Sequence, residues 1–442
     1  MMRHTAWLLA GLIAIPPTLS AQAPAPLTPA VCMRDVSVWY GQSTKAAQDS
    51  ARLSGGKAPD YAALFAMRTA KLKDCAAQFS VERTFGTDLV ALATLYSQVS
   101  LDSLAMAAVN RRMAEPGLSE PDRAAALVAM IHALTKPDTL VIARAEPYMK
   151  QLDAMSDAVI MDKLSAHSSL NGEYRYLDVN DRIRQHSLAI IALGKKFAAP
   201  PAAGRSPGAI SSYTLLEAYT NLGEVYADLG QVDSTFRILD QAMVDHPEIS
   251  PHDADAYLKP ERQRYQLVGK PSMALEAGHW LNASPDTRTL DPKGKVTVIE
   301  FTAHWCIPCR NSYPAMTAMA DKLGRQGVQF AFATEFYGFL GAKKNLSADA
   351  EFQADSEYFV AEHGIDFPVA IADRPPTPKP GEPYVPEPNS GRYRVGGIPQ
   401  TVIIDRDGII RRILTGWDTG NAERMPVLLA ALLKEKPIRQ TP

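Results

Sequence analysis

Two cysteines separated by two residues, in Cys306-Ile307-Pro308-Cys309, are the residues of this chain best placed to do chemistry. A C-x-x-C pair serves either disulfide exchange or metal binding. Zinc would require two further Cys or His ligands at matching spacing. The chain has no second C-x-x-C, and His279, His304 and His363 do not form such a set, so no metal is expected and no other cofactor is implied. For exchange, the pair must flank a turn from strand into helix. Cys306 then stands at the helix N-terminus, where unpaired N–H groups and the macrodipole favour thiolate. Cys309, one turn on and more buried, attacks a mixed disulfide held on Cys306 and releases the partner. Pro308 stiffens the first turn, where its missing N–H costs little.

That placement needs a strand before the pair and a helix after it. Val296–Phe301 is a short apolar run, and a helical pattern follows Cys306 through Leu323. Val328–Thr334 reads as a second strand, Glu351–His363 as a helix closed by Gly364, and Phe367–Ile371 as a third strand. Thr401–Ile404 and Ile409–Leu414 make a hairpin around Asp407-Gly408, and a last helix runs over Ala422–Lys434. Strands alternating with helices and ending in a hairpin imply a mixed sheet with helices on both faces. Glu300 lies in the first strand beside Val298, Ile299 and Phe301. This context implies burial, whereas strand alternation could instead turn it to solvent.

The run Glu300-Phe301-Thr302-Ala303-His304-Trp305-Cys306-Ile307-Pro308-Cys309 resembles the active-site strand and loop of thioredoxin-like proteins. Pro314 follows Cys306 by eight residues, and Gly396-Gly397-Ile398-Pro399-Gln400-Thr401 precedes Val402-Ile403-Ile404-Asp405-Arg406-Asp407-Gly408. Together these motifs are similar to those of the exported TlpA/ResA-like thiol–disulfide oxidoreductases. The resemblance covers residues 280–435 and implies a thioredoxin fold, with Cys306 and Cys309 as a redox-active disulfide. It also implies that Pro399 is cis and lies against the pair, that the Ile398 backbone bonds an extended substrate, and that Pro314 kinks the helix. Glu300 becomes a buried carboxylate of raised pKa that takes the proton of Cys309. Trp305 either shields the disulfide or is a plain core aromatic. His304 reads as a surface cap outside the catalytic set. Ala303 stands where peroxiredoxin chemistry wants Thr, which disfavours that reaction.

The rest of the chain frames this site. A formal net charge of −2 gives no steering toward nucleic acid or anionic membrane. Arg3 and His4 precede an apolar run from Ala6 to Ile15, too short to span a bilayer, with small-residue cleavage sites up to Ala23. This reads as a signal peptide over residues 1–23, hence an exported, periplasmic-type protein without stable membrane insertion. Export permits structural disulfides, so Cys32 and Cys75 form either a bridge or two separate buried thiols. Residues 24–277 read as helix after helix, in Tyr61–Phe79, Leu89–Met106, Ala124–Leu134 and Ile183–Ala192. Tyr219, Leu222, Gly223, Tyr226, Gly230, Ala242 and Pro247 match tetratricopeptide spacing, with a fainter echo at Tyr265, Gly269 and Ala274. An ordinary helical bundle is the alternative.

The expected fold is therefore a two-part chain. An all-α, repeat-like N-terminal region is followed by an α/β thioredoxin-like domain with a mixed central sheet, over residues 278–436. A Pro-rich insertion at 374–391 forms either an irregular surface loop or a substrate-contacting lip. The expected function is a thiol–disulfide oxidoreductase, with disulfide-containing or dithiol client proteins and a membrane electron donor as partners. A disulfide donor using the same site, or a helical-repeat binding protein with a scaffold thioredoxin-like part, are the alternatives. All recognisable redox residues lie beyond residue 300, so a chain starting near residue 275 is expected to fold alone.

Overall fold

A computed structural model of the protein describes residues 27–54, 61–136, 138–177, 179–198, 212–247, 249–375, 386–417 and 419–435. The leader-like segment 1–23 lies outside them. From Pro29–Ser54 to Pro251–Tyr265 the described chain is helical, without strands. A disulfide between Cys32 and Cys75, Cα atoms 6.0 Å apart, ties Pro29–Ser54 to Tyr61–Ala76. The expected helix Leu89–Met106 is instead two, Asp88–Gln98 and Asp102–Met113. Ser100 between them takes a positive φ of 63°, a break that apolar periodicity does not register.

The tetratricopeptide-like stretch is one helical hairpin, Ser212–Asp228 followed by Val232–Asp245. Gly230 makes the turn at φ 73°. At Gly223 a Cβ would meet Leu239, Thr235 and Ile238 at ordinary contact distance, so the two helices pack closely there without glycine being required. Thr235 reinforces the contact by donating to the Gly223 carbonyl at 2.9 Å. The fainter echo is not a second hairpin. Tyr265 ends the helix Pro251–Tyr265, and the chain then enters a ladder pairing Leu275–Glu276 with Thr289–Leu290.

The main sheet has six strands in the order Ile410–Thr415, Gln400–Ile404, Val296–Phe301, Val328–Glu335, Val369–Ala372 and His279–Leu281. Val296–Phe301 and Val369–Ala372 run parallel to Val328–Glu335, and the remaining pairs are antiparallel. All six residues of Val296–Phe301 are buried. Gly408 closes the hairpin at φ 78°, while Asp405 accepts from the Asp407 and Ile409 amides. The helix expected at Glu351 starts earlier, at Ala348, because Ser347 caps it; its end, Ser356–Glu362, is wound as π-helix before Gly364.

Helices cover both faces of this sheet, but from different parts of the chain. Val296, Val298, Phe330 and Phe332 pack against Tyr313, Met316, Met425 and Leu429 of the helices Ile307–Leu323 and Thr419–Lys434. On the other face Ile299, Phe301, Val402, Ile404 and Ile413 share a core with Leu216, Tyr219, Leu239, Leu258 and Tyr265 of the N-terminal part. Polar contacts reinforce that joint. Glu224 receives Arg175 at 2.9 Å and lies 3.9 Å from Arg412, which also meets Asp228 at 2.6 Å. Burial opposes ionisation of Glu224, but Arg175, Arg264 and Arg412 hold its carboxyl well below the usual range. Arg264 reaches across to the Ile413 carbonyl.

The second face is covered by the helical half together with Leu275, Leu290 and Tyr393 of the C-terminal part, with the Phe301 and Tyr393 ring centroids 5.4 Å apart, so the two parts share a core there. A chain starting near residue 275 loses Leu216, Tyr219, Leu239, Leu258 and Tyr265 from that shared core and should unfold at a lower temperature than the full chain, as read by circular dichroism on heating. In the full chain, Glu224→Gln should destabilise by about 1–3 kcal/mol, because Arg175 loses its charged acceptor while Arg412 keeps Asp228 and Arg264 keeps Glu261; urea unfolding at neutral pH measures this.

Candidate active site

The Val296–Phe301 strand delivers the chain to Thr302–Trp305, and the helix Ile307–Leu323 begins directly after Cys306. Cys306 is the N-cap residue, and the Cys309 amide donates to its Sγ at 3.2 Å. Pro308 sits in the first turn and Pro314 inside the helix. The two sulfurs form a disulfide with Cα atoms 5.2 Å apart. Both cysteines are buried, Cys309 fully and Cys306 all but 3%. The exposed surface over them belongs to Trp305 and Ile307, at 49% and 51%. Trp305 is thus no core aromatic; it stands edge-on to Tyr337, with ring centroids 5.6 Å apart.

The Ile398–Pro399 bond is cis and Pro399 is buried. Its carbonyl accepts from the Gly416 amide at 2.8 Å. Ile398 packs on the core cluster that contains both cysteines. The preceding Gly396 lies against Pro260, so the helix Pro251–Tyr265 borders this loop.

Glu300 pairs with Thr401 on one side and Phe332 on the other, which turns its side chain toward the active-site helix. It is completely buried, so the solvent-facing alternative does not hold. The Ser312 hydroxyl lies 2.6 Å from Oε1 and also 2.7 Å from the Cys309 carbonyl, while Thr401 Oγ1 donates to Oε2 at 3.3 Å. Burial pushes the Glu300 carboxyl up to about 8, against the opposing pull of these two hydroxyls.

Three features escape the sequence reading. Ser312 is recognisable only by its place one turn beyond Cys309. The Thr302 and Tyr313 hydroxyls meet at 2.9 Å in the core, and burial raises the Tyr313 phenol. His304 is not a surface cap. It is buried, with Nδ1 3.5 Å from Asp355 Oδ1 and the rings of Tyr337 and Phe339 edge-on. Burial raises the Asp355 carboxyl while His304 draws it back down. The Pro-rich insertion is not wholly irregular. Its far end is the short helix Pro388–Arg392, capped by buried Glu387 and tied through Asn389 to both backbone groups of Glu276. Residues 376–385, including Tyr384, lie outside the described residues.

A mixed sheet with a C-x-x-C disulfide at the start of the helix after its central strand, facing a cis-proline loop, defines a thioredoxin-like protein. Over 129 residues the chain is 30% identical to Thiol-disulfide oxidoreductase ResA of Bacillus thuringiensis (strain Al Hakam), covering 29% of this chain and 60% of that protein. The chain thus spans about three fifths of the length of the ResA relatives it matches. Thioredoxin-like protein YneN of Bacillus subtilis (strain 168) is 28% identical over 169 residues, 35% of this chain and 81% of YneN. Among solved structures, a thiol-disulfide isomerase from Corynebacterium glutamicum is 26% identical, covering 38% of this chain and 97% of that one, with a TM-score of 0.29. No protein-family model matches the chain. Homology to thiol–disulfide oxidoreductases therefore extends over about a third of it.

The burial of Glu300 has a measurable consequence. Its folded carboxyl titrates near 8 and an unfolded one near 4.5, so native stability falls as pH rises through this window. Glu300→Gln removes that dependence. Relative to the parent, the variant should gain stability between about pH 4.5 and pH 8, by up to about 5 kcal/mol, and show no further gain above it. Urea unfolding across this range tests the sign; parallel stability curves would contradict it.

Proposed function

We propose that the protein is an exported thiol–disulfide oxidoreductase that reduces or exchanges disulfides in client proteins through Cys306 and Cys309. The observation that carries this reading is the disulfide at the N-terminus of the helix Ile307–Leu323, set above buried Glu300. In the reduced enzyme, the helix N-terminus favours the Cys306 thiolate, which attacks a client disulfide. One client sulfur leaves as thiolate and the other stays bonded to Cys306. The Cys309 S–H bond then breaks and the ionised form of Glu300 takes the proton. The Cys309 thiolate attacks Cys306 Sγ, forming the internal disulfide and expelling the second client thiolate. The client gains two electrons, and the enzyme must be reduced again by a dithiol donor, most simply a membrane protein.

Several features support the details. Ile398 and cis-Pro399 offer an edge beside the disulfide for an extended client segment, and Trp305 with Ile307 gives an apolar landing surface. The bridge between Cys32 and Cys75 suits an oxidising compartment. Among the described residues no helix is long and apolar enough to cross a membrane. The closeness of Gly396 to Pro260 gives the helical half a way to influence how clients approach, beyond its cover of the sheet.

Cys309→Ser should trap mixed disulfides through Cys306, whereas Cys306→Ser should trap none. Trapping confined to Cys306→Ser would reverse the roles, and trapping by neither would favour a binding protein with an idle site. Direction is read from the equilibrium potential of the pair against glutathione. A value near −270 mV, as for thioredoxin, marks a reductant, and one near −120 mV marks a disulfide donor.

A further inference from the structure

We propose that Ser312 is a positioning residue that couples the ionisation of Glu300 to the helical turn carrying Cys309. This rests on the exchange cycle proposed above and adds a residue to it.

Ser312 is fully buried and stands between two oxygens, Glu300 Oε1 at 2.6 Å and the Cys309 carbonyl at 2.7 Å. A hydroxyl has one proton to donate. If Glu300 is ionised, both neighbours are acceptors and only one can be served. If Glu300 is protonated, both contacts are satisfied: Glu300 donates to Ser312 Oγ, and Ser312 donates to the Cys309 carbonyl. When Glu300 loses its proton, the charged carboxylate is the stronger acceptor. The hydroxyl then swings to it and frees the Cys309 carbonyl. The proton state of Glu300 is thereby expressed at the Cys309 turn, where the resolving thiol must move to attack.

Few other groups compete for this role. The adjacent strand Gln400–Ile404 supplies the Thr401 hydroxyl at the longer distance of 3.3 Å, and Val328–Glu335 places Phe332 opposite Glu300. The helix Thr419–Lys434 contributes Met425 and Leu429 to the same core. Besides the two cysteines, the titratable neighbour is Tyr313, whose hydroxyl is engaged with Thr302.

Ser312→Ala removes a hydrogen bond that favours the ionised carboxyl. The midpoint of the rise with pH in the Cys309-dependent resolution rate, followed by stopped flow on a small aromatic disulfide, should move up by about 1 pH unit. Ser312→Thr keeps the hydroxyl and should keep the parent midpoint. In a Glu300→Gln background, Ser312→Ala should produce no shift. Infrared titration of the protonated carboxyl in the disulfide-bonded full chain should show the same rise without any turnover. An unchanged midpoint in Ser312→Ala, or an equal displacement by Ala and Thr, would overturn the proposal. If Glu300→Gln itself leaves the pH–rate profile intact, the base assignment falls and Ser312 falls with it. If Glu300→Gln removes the dependence while Ser312→Ala leaves it in place, only the role of Ser312 is lost.

Discussion

The site depends on one constraint: the strand Val296–Phe301 is covered on both faces. Its alternation sends Val298 and Glu300 toward the active-site helix, and Ile299 and Phe301 toward the helical half. A strand with one open face would leave water within reach of its ends, and a carboxyl there would titrate in the ordinary range. Covered twice, Glu300 meets only the hydroxyls of Ser312 and Thr401, and these do not offset the loss of hydration. Glu300 is thus kept dry on its own face by the helix that carries the cysteines, while the helical half helps cover the opposite face of the same strand.

The joint between the two parts is built unlike a chance contact between domains. Its apolar core is continuous from Tyr219 and Tyr265 to Phe301 and Ile404. At its edge lies a buried carboxylate set among guanidinium groups, with Glu224 drawing Arg175 from one helix and Arg412 from the sheet. Such a cluster contributes little net stability compared with apolar packing, but it penalises any displacement that parts the charges. Orientation between the halves is therefore specified. That matters because the helix Pro251–Tyr265 borders the loop of Ile398 and Pro399.

Much of the α/β part was legible in sequence. Val296–Phe301 reads as a buried strand because its run is almost wholly apolar, and Asp407-Gly408 reads as a turn because Gly408 must adopt positive φ. The cysteine pair reads from spacing alone. What apolar pattern conveys is that a residue is buried, not what buries it. Tyr219 and Leu222 were legible as positions of a helical hairpin, yet nothing in their spacing says that they share a core with a sheet closing at Ile404. His304 was misread for the same reason. Its partner, Asp355, is far along the chain, and its aromatic surroundings come from a loop that no periodicity marks. The edge strand His279–Leu281 is three residues long, below what alternation can signal.

Ser312 shows where the two kinds of information meet. Its spacing from Cys309 places both on one helical face, and that much is sequence. The carboxyl it serves comes from a strand whose register against Thr401 and Phe332 exists only in the assembled sheet. Charge is then separated along a short path. The helix N-terminus favours a negative sulfur at Cys306, while the dry strand beneath disfavours a negative carboxyl at Glu300. In the proposed cycle, the ionised form of Glu300 is thereby made a stronger base toward the Cys309 thiol, and negative charge is favoured at Cys306, where a client disulfide would first arrive. These opposite electrostatic environments within one helical turn let the same dithiol attack and then resolve in that cycle.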